Sequence, residues 1–324
     1  MGKSVNVYMF GIVALVILIL SADFVCYLTS GSSVSVLIVI LAYVGLGTYL
    51  FYLACRSFLP ADFTESGTKT FSVENAREEE SLPDLWEMTL PFLYDAQYVE
   101  SLIVFLRERG VGSVLDCACG TGFPSIQLKR AGFDVYCSDG SEEMIRRFRV
   151  NMKKTGLDIP NRVLRWHDLH KLEKRFDAVL CRGNSLIYLD SWLSNEPSAT
   201  NFLSNAPVAL RQMRGVLNAR GFLYVDSISA DEYQRGPSLV EEFGERIVND
   251  LPMRLTWTVK HDWKQMNRIV RSARRIGEIT FCHDYRGFLL KHEELQNMLS
   301  AAGFSRVRKI KLDGERAYDV YIAS

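Results

Sequence analysis

The chain has 324 residues, enough for one full α/β domain with additions and for a sizeable buried core. Its 38 Lys and Arg balance 38 Asp and Glu, so the basic field that draws in nucleic acid is absent and no nucleic-acid partner is expected. The 7 cysteines, an odd count with several inside apolar runs, read as reduced core thiols rather than a secreted disulfide framework.

Two apolar segments, 5–28 and 34–55, open the chain, joined by the short uncharged stretch TSGSS. The second has the length of a helix that crosses a hydrocarbon core. With Lys3 before the pair and Arg56 after it, both ends fall on the cytoplasmic side. Residues 1–59 therefore predict two transmembrane helices as a hairpin, a membrane partner, and a multi-pass membrane location with a cytoplasmic catalytic domain. A cleaved signal peptide is the alternative for the first segment. Residues 60–81 are polar, with the acidic run Glu78-Glu79-Glu80, and read as a linker.

Residues 82–324 read as one domain. Helical spacing over 82–109 predicts a helix that stops at Gly110. Strands then alternate with helices: strand 113–116, helix 124–131, strand 134–138, helix 142–155, a short strand near 162–165, strand 175–183, helix 206–221 and strand 222–228. That alternation predicts an α/β fold with a parallel sheet covered on both faces. Antiparallel strands of alternating polarity follow, an insertion at about 231–281, and a helix and a strand pair close the chain. Arg268, Arg271, Arg274 and Arg275 form a basic run in the insertion. It reads as a solvated strand face, or alternatively as a seat on anionic lipid.

The stretch SVLDCACGTGFPSIQLKRAGFDVYCSDGS, residues 113–141, holds the chemistry. A strand ends in Asp116, a glycine turn leads to a helix, and the next strand ends in Asp139. Such a turn brings backbone N–H groups up to a ligand. A phosphate cradle of the Walker type needs Gly-Lys-Ser/Thr, which is missing, and ACGTGFPS does not fit the G-x-G-x-x-G dinucleotide fingerprint. Cys117 and Cys119 are too close for a zinc half-site, so no metal is expected.

The remaining pattern, Asp116-x-Ala118-x-Gly120-x-Gly122 with Asp139 one strand later, resembles motif I of class I S-adenosylmethionine-dependent methyltransferases. The resemblance implies a Rossmann-like sheet and S-adenosylmethionine as cofactor. Gly120 and Gly122 would let the backbone approach the methionine half, Asp139 would accept from the ribose hydroxyls, and Asp116 would order the turn. RWHDLHKL places His167 and Asp168 where the superfamily holds the adenine edge.

FDAVLCRGNSLIYLDSW, with Arg182, Gly183, Asn184 and Ser185 at a strand end and Tyr188 and Trp192 following, resembles the glycine and sarcosine N-methyltransferases. That likeness puts Asn184 and Tyr188 toward the acceptor and the Arg182 backbone at the cofactor. It makes Trp86 and Tyr94 an aromatic lid, with ordinary helix packing as the alternative. His283 and Tyr285 line the acceptor cavity or serve bland strand roles. In that family an arginine shortly after the fifth strand clamps the amino-acid carboxylate; here VDSISADEY carries Asp226 and Ser227 but no arginine until Arg235. Arg182 is a substitute clamp.

Joined to the hairpin, these readings predict a membrane-anchored methyltransferase that N-methylates a lipid-headgroup amine. The alternatives are N-methylation of a soluble amine such as glycine or sarcosine, O-methylation of a membrane-borne small molecule, and a cofactor-binding scaffold without turnover.

Overall fold

Period-two apolar runs set the sheet, because each strand must bury side chains on both faces. The computed structural model describes residues 81–189, 198–248 and 250–324. The described part opens with helices α1 (Leu82–Leu93) and α2 (Ala96–Glu108). Then come β1 (Ser113–Asp116), α3 (Ser125–Arg130), β2 (Asp134–Asp139), α4 (Glu142–Thr155) and β3 (Asn161–Val163). A 3-10 turn at Trp166–Leu172 leads to β4 (Phe176–Cys181), and a second at Ser185–Tyr188 follows it. α5 (Ala199–Gly215) precedes β5 (Leu217–Ile228), and the short α6 (Ala230–Gln234) follows. Four strands come next, β6 (Ser238–Val248), β7 (Leu251–Asp262), β8 (Asn267–Ile276) and β9 (Ile279–Phe288). α7 (His292–Ala301), β10 (Val307–Ile310) and β11 (Tyr318–Ala323) end the chain.

The main sheet runs β10-β11-β5-β4-β1-β2-β3. β3, β2, β1, β4 and β5 are parallel, while β11 is antiparallel to β5 and β10 to β11. Alternation divides each strand between two cores. Val114, Leu180 and Tyr224 join α2, α3 and α4 on one face, whereas Leu115, Val179 and Val225 join α5 and α7 on the other. Strand order reverses between β1 and β4, and the crevice beyond the carboxyl ends there is where ligands of open α/β sheets bind.

The second sheet is the antiparallel meander β6-β7-β8-β9. α1 packs against β6, and the Ser185–Tyr188 turn packs against β9, so this sheet reaches the carboxyl edge of the first.

Two helical expectations shift. The single helix over 82–109 is two, broken at Tyr94; Asp95 caps the second by accepting from the Tyr98 N–H. α5 begins at Ala199 on a Ser198 cap rather than at 206. It ends at Gly215 rather than Gly221, because Leu217 already pairs with Phe176 in the sheet. A Cβ on Gly221 would stand 2.9 Å from the Phe176 carbonyl oxygen, so that glycine serves the close approach of two strands.

The expected membrane location is corrected. Among the described residues no helix is long and apolar enough to cross a membrane. The longest, α5, has 17 residues and buries one face against the sheet. At about 1.5 Å per residue it falls short of a hydrocarbon core about 30 Å thick. The segments 5–28 and 34–55 on which the expectation rested, and the linker up to residue 80, lie outside the described residues.

Candidate active site

The glycine turn is held from both ends by carboxylates. β1 delivers Asp116, which is wholly buried. Ser125 Oγ donates to it at 2.6 Å and the Ala118 N–H at 3.2 Å, which ties the turn to the first residue of α3. β2 delivers Asp139, which accepts from the Gly120 N–H and from the Ser141 N–H, each at 2.9 Å. Burial pushes the Asp139 carboxyl up to about 6, against which the two backbone donors work. Burial also raises Asp116.

The two glycines serve different ends. Gly120 has φ +50, and a Cβ there would lie 3.4 Å from Trp86 Nε1, so its open side faces the cleft. Gly122 has φ +112, and a Cβ there would lie 2.6 Å from the Phe148 ring and 2.9 Å from Ile126. The expectation that both clear the way for a ligand is corrected for Gly122: it lets the turn pack on α3 and α4.

Asp226 shapes the end of β4. Its carboxylate accepts from the Gly183 N–H at 2.9 Å and the Asn184 N–H at 2.6 Å. Burial raises it to about 6, opposed first by the Arg182 charge. Those bonds hold Asn184 at φ +55, left-handed backbone that asparagine tolerates better than most residues. The Asn184 side chain is 1% exposed, and neither its Oδ1 nor its Nδ2 has a partner. Buried amide atoms are nearly always hydrogen-bonded, so an amide with both ends open marks a place for a ligand.

Trp86 joins the two strand ends. The Cβ positions of Gly120 and Gly183 lie 3.4 and 3.5 Å from its indole. α1 is fixed above them by Asp84 and Glu87, which pair with Arg147 of α4, and by Asn151, which donates to Glu87. Tyr94 stands elsewhere: its ring lies 4.7 Å from the Arg182 guanidinium and packs on Tyr98 and Phe123.

Arg182 is buried. It donates to the Tyr98 hydroxyl at 2.9 Å and the Phe123 carbonyl at 3.1 Å, enclosed by the rings of Tyr94, Tyr98 and Phe123. Its Nη2 has no partner, so one donor stays open for the carboxylate-clamp role expected of it. His167 and Asp168 sit on the 3-10 turn after β3, partly exposed; Asp168 pairs with Lys171 at 2.8 Å, a bond that lowers its pKa. The Tyr188 ring faces Tyr285 at 6.4 Å, and His283 meets Tyr285 at 4.6 Å. Trp192 lies outside the described residues.

The basic run is not one face. Burial along β8 alternates, so Arg268 and Arg274 point inward while Arg271 and Arg275 point away. Two residues escaped the sequence reading. Asp226 lies two residues before the end of β5, and its bonds to the residues after β4 have no local signal in the sequence. Trp166 donates from Nε1 to the Cys117 carbonyl at 2.6 Å and anchors the turn from the side; nothing local in RWHDL announces it.

Comparison with known proteins agrees with this geometry. Residues 114–221 match the family model described as a methyltransferase domain. The chain is 30% identical over 174 residues to the glycine/sarcosine N-methyltransferase of Halorhodospira halochloris, covering 52% of this chain and 61% of that one. It is 33% identical over 150 residues to the glycine N-methyltransferase of Homo sapiens, covering 42% and 47%. The chain thus spans about half to three-fifths of the length of these curated relatives. In fold it is similar to the S-adenosylmethionine-bound amino pentose methyltransferase CalS10 of Micromonospora echinaspora, with TM-score 0.57 and 15% identity over 76% of this chain and 99% of that one. Residues 114–221 thus form a methyltransferase domain, in a fold shared with an S-adenosylmethionine-bound methyltransferase, and the chain is similar over part of its length to the glycine/sarcosine N-methyltransferases.

Proposed function

We propose that the chain transfers the methyl group of S-adenosylmethionine to the nitrogen of a small soluble amine of the glycine or sarcosine kind. The observation that carries this reading is the buried, unpartnered amide of Asn184, one indole away from the glycine turn. The names of the curated relatives favour a soluble amine over a lipid headgroup.

The residues present fit the cofactor. Each Asp139 oxygen has accepted one N–H and keeps a lone pair for a ribose hydroxyl. The turn Ala118–Gly120 would border the methionine half, His167 and Asp168 the adenine edge, and Trp86 the lid. When bound, the cofactor supplies an electrophilic methyl on a sulfonium.

Asn184 Oδ1 accepts from an amine N–H and thereby turns the nitrogen lone pair toward the cleft; holding two reactants at near-attack distance is most of the catalysis such a displacement needs. Burial lowers the pKa of the incoming amine and favours its neutral form. A neutral amine that gains a methyl becomes an ammonium ion without losing a proton in the same step, so no dedicated base is required. The Tyr188 and Tyr285 rings wall the acceptor side.

The test is methyl transfer from labelled cofactor, with the full-length chain offered glycine, sarcosine, ethanolamine and phosphatidylethanolamine vesicles. Label on glycine or sarcosine is expected. Label on the lipid alone, or on nothing, overturns the reading.

A further inference from the structure

The two inward arginines of β8 are in opposite electrostatic situations. Arg268 meets Glu232 through two parallel bonds of 2.8 Å, a fork-to-fork pair that cancels its charge. Arg274 is 0% exposed, and among the described residues no carboxylate stands within ion-pair distance of it. Its Nε and Nη2 donate to Thr89 Oγ1 at 3.0 and 2.8 Å, and Nη2 also to the Tyr285 hydroxyl at 3.1 Å. Nη1 has no partner.

Hydroxyl oxygens orient a guanidinium without neutralising it. Thr89 gives its own proton to the Leu85 carbonyl at 2.8 Å, so only its lone pairs face Arg274. A buried cation without an anion is costly, and an arrangement that keeps one in place with an open donor is built for an anion that arrives. The charge is felt nearby: burial first, and then Arg274, hold the His283 imidazole below its usual range.

The location is the acceptor side of the cleft. Thr89 follows Trp86 by three residues, so both lie along one face of α1, with Trp86 over Gly120 and Gly183 and Thr89 on Arg274. Tyr285, the second partner of Arg274, faces the ring of Tyr188, which closes the turn that Asn184 begins. A cation with an open donor and an amide with both ends open are thus linked through Tyr285 and Tyr188.

We propose that Arg274 receives the carboxylate of the methyl acceptor. This rests on the N-methyltransferase reading above. The clamp expected just after the fifth strand is absent from the sequence there and is supplied instead from the middle of the antiparallel sheet. Arg274 binds the carboxylate while Asn184 orients the amine, so the acceptor is held at both ends.

The experiment uses the full-length chain with Arg274→Met, Arg274→Lys and, as a control on the outward face of the same strand, Arg275→Met. Acceptors are glycine, β-alanine, 4-aminobutyrate and glycinamide, the last being glycine with its carboxylate capped. In parallel, acetate is titrated calorimetrically onto each chain saturated with S-adenosylhomocysteine, and thermal melting reports folding. The wild-type chain is expected to prefer the best carboxylate-bearing acceptor over glycinamide. Arg274→Met should raise the KM of that acceptor by about 30-fold or more and abolish the acetate heat, with cofactor affinity unchanged. Arg274→Lys should fall between, because an ammonium keeps the charge and loses the fork; it carries the test if the methionine variant fails to melt cooperatively. Arg275→Met should match the wild type.

Equal turnover of glycine and glycinamide by the wild type, or an unchanged carboxylate preference in folded Arg274 variants, overturns the Arg274 assignment and leaves N-methylation standing. Absence of methyl transfer to every amine, with acetate heat still lost in Arg274→Met, overturns the N-methyltransferase reading and leaves the anion seat standing.

Discussion

The two halves of the cleft are built in opposite ways. The cofactor half, from Asp116 to Ser141, is local in sequence and its turn is tied down by its own carboxylates. Each carboxylate there has two donors, and the turn is fixed before any ligand arrives. The proposed acceptor half draws Thr89, Asn184, Tyr188, Arg274 and Tyr285 from distant parts of the chain. It is unsaturated, with open polar atoms on Asn184 and Arg274. A site that must hold one fixed cofactor can be self-sufficient, whereas a site that must recognise a changing partner keeps its donors in reserve.

The strongest test of this contrast is Asn184→Ala. It should lower kcat/KM by about 100-fold or more, the scale of losing a positioned polar group, while cofactor affinity stays within about 3-fold. Comparable losses in both would merge the two halves into one unit. Gly122→Ala comes next. Its Cβ meets Phe148 in a backbone region that side chains avoid, so unfolding in urea should show a loss of about 2–4 kcal/mol. Gly120→Ala, facing only the Trp86 indole, should cost about 1 kcal/mol and act on cofactor affinity instead. If the two alanines behave alike, the division of labour between the glycines is wrong.

The smallest expected effect is on pH dependence. Asp139 has a folded pKa of about 6 against an ordinary value of 3.8, so the folded chain holds this proton more tightly than the unfolded chain. Its contribution to stability therefore falls as pH rises from about 4 to 6 and is level above. Ribose hydroxyls donate more strongly to the ionised carboxylate, so cofactor binding favours release of the proton. Affinity should climb with pH by at most about tenfold per unit below 6 and level off above. Asp139→Asn should bind weakly with no such slope. A slope that persists in that variant assigns the titration to another group.

The same contrast decides what could be read from the sequence. The placement of Asp116, Gly120 and Asp139 was legible because it follows from strand ends and one turn, features that local pattern encodes. The break between α1 and α2 was not, since helical spacing continues on both sides of Tyr94; the Asp95 cap was the available sign. The fate of the four β8 arginines was half legible. Period-two alternation puts Arg268 and Arg274 on one face, but only the partners separate them: Glu232 for one, and Thr89, 185 residues away in sequence, for the other. Asp226 stands in plain view in VDSISADEY, but its role was not legible there. Its two bonds to the Gly183 and Asn184 backbone, just after β4, are a tertiary fact that its own strand does not announce.

The central claim is that the carboxyl ends of β1 and β2 enclose S-adenosylmethionine, with Asp139 as the fixed acceptor at its ribose. Calorimetric titration of the cofactor into the full-length wild-type chain and into Asp139→Ala tests it directly. The account predicts saturable one-to-one binding by the wild type and a loss of about 100-fold or more in the variant, as expected when a buried hydrogen-bonded carboxylate is removed. No heat with the wild type, or equal affinity in both chains, would contradict it.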